Sequence, residues 1–280
     1  GASNTAIGTS ALAANTTGTC NIAMGVNSLL ANTTGNNNVA IGFCANATST
    51  DRNDNTAIGY EALKVNTGIG NTAVGARAAD SNTSAEGITA VGNRALCSNT
   101  TGANNTAVGM CSLLANTTGT LNSAFGEGTL KCNTTGGNNT AIGRQALFNN
   151  TTGLCNTAIG RAALVDNTTG AGNVAVGVVA LERNTTASNN TALGYKALLS
   201  GTTGASNTAV GAEAMKFHTT GTNNTALGYN SLLKNTTGTG NVGVGTGALC
   251  NVTGAGHDNV GAGLYAGCGI TTGDQNINIG

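Results

Sequence analysis

The residues able to do chemistry in this chain are few, and most recur at one spacing. Ten asparagines, all at one place in a recurring phrase, head Asn-Thr-Ser/Thr triplets: Asn15, Asn32, Asn82, Asn99, Asn116, Asn133, Asn150, Asn167, Asn184 and Asn235. In a secreted protein that triplet accepts an N-linked glycan. In a stacked repeat the same residues form a column of amides bonding to one another, and the residues alone leave both readings open. Eight cysteines, at 20, 44, 97, 111, 132, 155, 250 and 268, are even in number, which favours disulfides in an oxidising compartment. His218 and His257 are the only histidines and no Cys-x-x-Cys occurs, so zinc is not expected. The run DRNDNT at 51–56 starts like a calcium loop, with Asp51, Asn53 and Asn55 alternating, but lacks the Gly and Glu that complete one. GTGNVG at 238–243 matches a dinucleotide fingerprint by letters. With no helix to follow it, the match is ordinary glycine in a glycine-rich repeat. No catalytic constellation, cofactor site or metal site is expected, and the chain is not expected to be an enzyme.

Composition narrows the class further. The 280 residues include 44 Gly, no Pro and no Trp, with 8% charged residues and no net charge. A nucleic-acid binder needs a basic stripe, which is missing. No apolar run approaches the roughly 18 residues of a membrane span.

What positions these residues is a repeat. The Gly closing each N-T-A-[IV]-G phrase recurs from Gly8 to Gly280 every 17 residues, except for a step of 16 ending at Gly75 and one of 18 ending at Gly263. That gives seventeen copies with no spacer, read as one continuous domain over 1–280. The phrase is running at both Gly1 and Gly280, which suits coils that stack end to end. Seventeen residues are too few for a helix pair but fit one coil of a β-solenoid with two short strands and two turns.

With Asn as position 1 and the marker Gly as 5, position 2 is Thr or Ser in eleven copies and Val or Ile in six. Position 3 is Ala in all but the last three, position 4 is apolar in nearly every copy and position 9 mostly Leu. A β-branched, Ala, aliphatic triplet before Gly reads as a strand, and Leu at 9 as a second core contact. The N-T-T-G at 12–15 turns the chain, its Gly expected at positive φ. In the regular coils charges keep to 6, 7, 10, 11 and 16 and avoid 1–5, 8 and 9, the exclusion that burial produces. Position 1 is Asn in sixteen copies: Asn4, Asn21, Asn38, Asn55, Asn71, Asn105, Asn122, Asn139, Asn156, Asn173, Asn190, Asn207, Asn224, Asn241, Asn259 and Asn276. Coils about 4.8 Å apart let these amides form a ladder. Alternation puts 2 and 4 on one face of the strand and 3 on the other. Neither face suits water, so the strand is expected to be covered on both sides and the chain to self-associate. Cys250 and Cys268 both fall at position 10 of adjacent coils, within disulfide reach.

The phrases NTAIG, NTAVG and NVAVG, each followed by Ala-Leu, resemble the N-S-V-A-I-G repeats in head domains of trimeric autotransporter adhesins. They are closer still to the N-T-A-[IL]-G-Y-x-A-L repeats of fibre proteins that precede a self-cleaving tail-spike chaperone domain. The resemblance covers the whole chain, which departs from the adhesin heads in its 17-residue period and its NTTG turn. It implies a left-handed parallel β-roll, a homotrimeric stalk or fibre and a surface-adhesion role. The expectation is therefore an all-β parallel β-solenoid acting as an extracellular or cell-surface fibre, partnered by itself as trimer or filament, with glycans attached or bound. The alternative is a binding module: a glycan-binding adhesin, or an ice-binding solenoid working through the Thr column at position 2.

Overall fold

A computed structural model describes residues 1–254 and 256–280. The described chain is all-β: seventeen three-residue strands, each at positions 2–4 of a coil, and no helix. It divides into two compact units of the same design, Gly1–Asn139 and Thr140–Gly280. The first holds β1 (Thr5–Ile7) to β8 (Ser123–Phe125), the second β9 (Thr140–Ile142) to β17 (Ile277–Ile279). Within each unit successive strands pair in parallel with equivalent residues in register, Ala158 against Ala175 and Ala175 against Ala192. The 16- and 18-residue coils keep this register: Ala57 pairs with Ala73, and Gly243 with Gly261. The unit is thus a parallel β-solenoid.

Each coil has one strand rather than the expected two. Positions 5–8 and 9–12 are consecutive tight turns, closed by Ala197 N–H to Gly194 C=O at 3.3 Å and Gly201 N–H to Leu198 C=O at 3.2 Å. These turns are held by the neighbouring coil, as where Leu198 N–H donates to Ala214 C=O at 2.9 Å. The backbone bends through left-handed φ at positions 5, 7, 9 and 17. Position 5 is always Gly, and a Cβ on Gly177 (φ +137°) would lie 2.5 Å from Gly194 O. Position 9 is the surprise, because Leu164, Leu181 and Leu198 sit at φ 50–52°. An L-residue there is disfavoured by about 1–2 kcal/mol. From Leu29 onward the leucines of this column have no exposed surface, and full burial of each side chain, worth about 2–3 kcal/mol, offsets the strain. Gly at position 15 does not take positive φ as expected; its role is steric, since a Cβ on Gly153 would meet Asn150 Oδ1 at 2.4 Å and Gly170 O at 2.5 Å.

The core of each unit is narrow: the Ala column at 3, Ala or Ser at 8 and Leu at 9. Position 4 points the other way. Ile7, Phe125, Ile142 and Leu227 are 57, 40, 40 and 47% exposed, so the expected cover over this face is not supplied within a unit.

Candidate functional site

Two columns of amides line each coil where the strand begins and where the last turn ends. At position 1, Asn207 N–H donates to Asn190 Oδ1 of the preceding coil at 2.9 Å, and Asn190 Nδ2 donates across its own coil to Gly204 C=O at 2.9 Å. Asn173 and Asn156, and Asn122 and Asn105, repeat the pattern. The expected ladder is present in both units, interrupted at Ile88, whose backbone N–H still donates to Asn71 Oδ1 at 3.1 Å.

The sequon asparagines form the second column, at position 12. Asn167 Nδ2 donates to Asn150 Oδ1 at 2.8 Å and to Gly170 C=O at 3.0 Å, and Asn99, Asn116 and Asn133 do likewise. Nine of the ten have no exposed surface, Asn15 being half-exposed. In these nine the Nδ2 atoms, where a glycan would attach, lie inside the protein among such bonds. A glycan there would require the turn to open. Where the column is interrupted the chemistry shows: Ser49, Gly201 and Val252 follow Asn32, Asn184 and Asn235, and in each case the preceding Oδ1 is buried without a partner. His218 takes one place in the column, its Nδ1 2.9 Å from Asn235 O and Nε2 2.8 Å from Gly221 O. Burial holds its pKa below the usual imidazole value, against the two carbonyls, which favour the charged ring.

Cys250 and Cys268 are joined by a disulfide, their Cα atoms 5.2 Å apart, as their shared position predicts. The other six cysteines are free, Cys20 and Cys155 exposed and the rest half-buried. Cys97 lies 3.4 Å from Asp80 Oδ1; burial and then that carboxylate push its thiol pKa up, which makes it a poorer nucleophile. The DRNDNT residues are committed elsewhere: Asp51 pairs with Arg52 at 3.3 Å, Asn53 Oδ1 accepts from Asn36 N–H at 2.7 Å, and Asn55 sits in the position-1 ladder. Gly238, Gly240 and Asn241 of GTGNVG lead into β15 (Val242–Val244), not into a helix. Among the described residues no three metal-ligating side chains gather, and no helix is long and apolar enough to cross a membrane.

One cluster was not foreseen. Glu61, almost buried, receives Lys64 Nζ at 2.8 Å and Arg77 Nε at 3.1 Å. The Lys64 hydrogen bond, more than anything else, holds the Glu61 carboxyl below its usual value, and the same bond raises Lys64. Phe43 and Tyr60 stack beside it with ring centroids 5.5 Å apart. The available signal was that both rings occupy position 6 of adjacent coils.

Within each unit the strand face stands open to a partner. Along β9 to β15, Ile142, Ile159, Leu193, Leu227 and Val244 stand 37–47% exposed in one column, with half-buried Val176 and Val210 between them. No family model and no curated protein matches the chain.

Proposed function

We propose that this protein is a structural fibre component, a stalk or filament building block that self-associates through its strand face and acts outside the cell in surface adhesion. The observation that carries the reading is the exposed aliphatic column at position 4. Charges are absent from positions 1–5 in the regular coils, although position 4 faces outward within each unit. An outward face kept free of charge and rich in aliphatics is the pattern of a covered surface. At about 4.8 Å per strand and roughly 10 Å of strand length, each unit offers an uncharged strand face of roughly 400 Å², the size at which surface patches mark interaction sites. A second copy of the same chain suits it best. The column is uncharged and repeats at one spacing, so a copy in register meets like with like along its whole length. The resemblance to adhesin heads and tail-spike fibre repeats points to the same role and to threefold association. The Glu61 carboxylate is taken up by ion pairs, and most amides of the two columns bond to their own or a neighbouring coil, which supports a structural reading over an enzymatic one.

Analytical ultracentrifugation with electron microscopy tests the proposal. The intact chain is expected to sediment as an oligomer or to form rods at micromolar concentration. The double substitution Ile159→Lys with Leu193→Lys should dissociate it while leaving the β-type circular dichroism intact. A wild-type chain that stays monomeric and monodisperse across that range would refute the fibre reading.

A further inference from the structure

The NTTG turns carry a feature that the fibre reading does not use. In the second unit, positions 13 and 14 are both Thr in six successive coils, from Thr151–Thr152 to Thr236–Thr237. The two threonines of each pair differ in role. At position 13 the backbone N–H and the hydroxyl bond to one carbonyl in the next coil. Thr168 N–H and Oγ1 reach Thr185 O at 2.8 and 2.9 Å, and Thr219 N–H and Oγ1 reach Thr236 O at 2.8 and 2.9 Å. Thr185 and Thr202 do the same. Two bonds to one acceptor fix the side chain, so each position-13 threonine repeats its neighbour's orientation at the coil spacing of about 4.8 Å. At position 14, Thr169, Thr186, Thr203 and Thr220 are exposed, and no protein hydrogen bond holds their hydroxyls. The surface is also free of charge. From Asn150 to Gly240 no Lys, Arg, Asp or Glu occupies positions 12–17, and the nearest, Asp166, Arg183 and Lys234, stand at position 11, before the turn.

A rigid, neutral array of hydroxyls and methyls repeating along one axis offers little to a small soluble ligand, which would touch one pair and gain nothing from the rest. It suits a partner that is itself a lattice. Fixed groups bind such a partner without the ordering cost that flexible side chains incur, and the absence of strongly hydrated charges leaves the water layer over the turns free to adopt the partner's order. We propose that the paired threonine columns of the second unit form an ice-binding surface. The position-2 column is the poorer candidate for this, because Val174, Val242, Val260 and Ile277 interrupt it in this unit and the aliphatic ridge at position 4 stands beside it.

The test uses the whole chain, with thermal hysteresis and the partition of fluorescently labelled protein into a growing ice crystal as readouts. One variant combines Thr169→Lys, Thr186→Lys and Thr203→Lys, exposed sites whose hydroxyls hold nothing in the fold. A second places the same charges on the strand face through Thr191→Lys, Thr208→Lys and Thr225→Lys. The wild type is expected to enter the ice and depress the growth temperature, the turn variant to lose both effects with its circular dichroism unchanged, and the strand variant to keep them. Absence of hysteresis and of ice partition in the folded wild type would overturn the proposal. So would loss in the strand variant with retention in the turn variant, or binding to crystalline cellulose or chitin with none to ice.

Discussion

Removing one ladder amide measures how much of each coil rests on the position-1 column, and Asn190 is the cleanest place to do it. Its Oδ1 accepts the backbone N–H of Asn207 at 2.9 Å, and its Nδ2 donates to Gly204 O at 2.9 Å. In most coils the position-15 carbonyl takes a second amide from position 12. Here position 12 is Gly201, so Asn190 is the side-chain donor to Gly204. Asn190→Ala therefore strands two buried backbone groups, the Asn207 N–H and the Gly204 C=O. At about 1–3 kcal/mol for each unsatisfied buried group, the expected cost is about 4 kcal/mol. A repeat array need not unfold in one step, so the assay is native-state hydrogen exchange read at the Asn207 amide. At about 1.4 kcal/mol per decade, exchange there should accelerate by roughly 10³-fold. Asn190→Asp adds a sign test. Its second oxygen faces the Gly204 carbonyl, and burial together with that contact raises the folded carboxyl pKa. Its stability should then approach the wild type below the unfolded carboxyl value of about 3.9 and fall as pH rises through the higher folded value. An Asn207 amide that exchanges less than about tenfold faster in Asn190→Ala would refute the reasoning, because water or a backbone shift would then be satisfying the stranded groups.

Further outcomes follow from the same geometry. Gly201→Asn should rebuild the interrupted position-12 column and give the orphaned Asn184 Oδ1 a donor; Leu198 Cγ, 3.2 Å from the added Cβ, has to give slightly. A gain of about 1–2 kcal/mol in urea unfolding is expected. Asn46 stands in the Leu column between Leu29 and Leu63, fully buried with an unpartnered Nδ2. Asn46→Leu should stabilise the first unit by about 1–3 kcal/mol, read as a higher melting temperature. His218 has a lowered folded pKa, so its favourable term is complete above the unfolded value of about 6.5 and is lost as pH falls through the folded one. Hydrogen exchange around His218 should quicken on acidification, and His218→Asn should abolish that dependence. Gly177→Ala combines φ +137° with a Cβ 2.5 Å from Gly194 O and should cost more than about 3 kcal/mol in thermal unfolding.

The sequence by itself determined the period, the register and the Asn ladder, because a β-solenoid stacks identical positions and any side chain good for one coil is good for all. The same logic placed Cys250 opposite Cys268 across an 18-residue coil. It did not determine which face of the strand turns inward. Ala at 3 and the side chains at 4 are both apolar, with β-branched residues at 2, and only the narrowness of the closed coil decides: beside the Leu column there is room for a methyl and no more, so Ala158 is buried and Ile159 is 37% exposed. The left-handed leucines were also illegible, since φ near 50° runs against what an L-residue prefers alone. That backbone exists because two tight turns must aim Leu198 into the core. The sequons were the plainest case. Asn-Thr-Thr reads identically as a glycan acceptor and as a buried amide, and burial is the property the sequence could not supply: Asn150, Asn167 and Asn184 stack one coil above another with their amides turned into the protein.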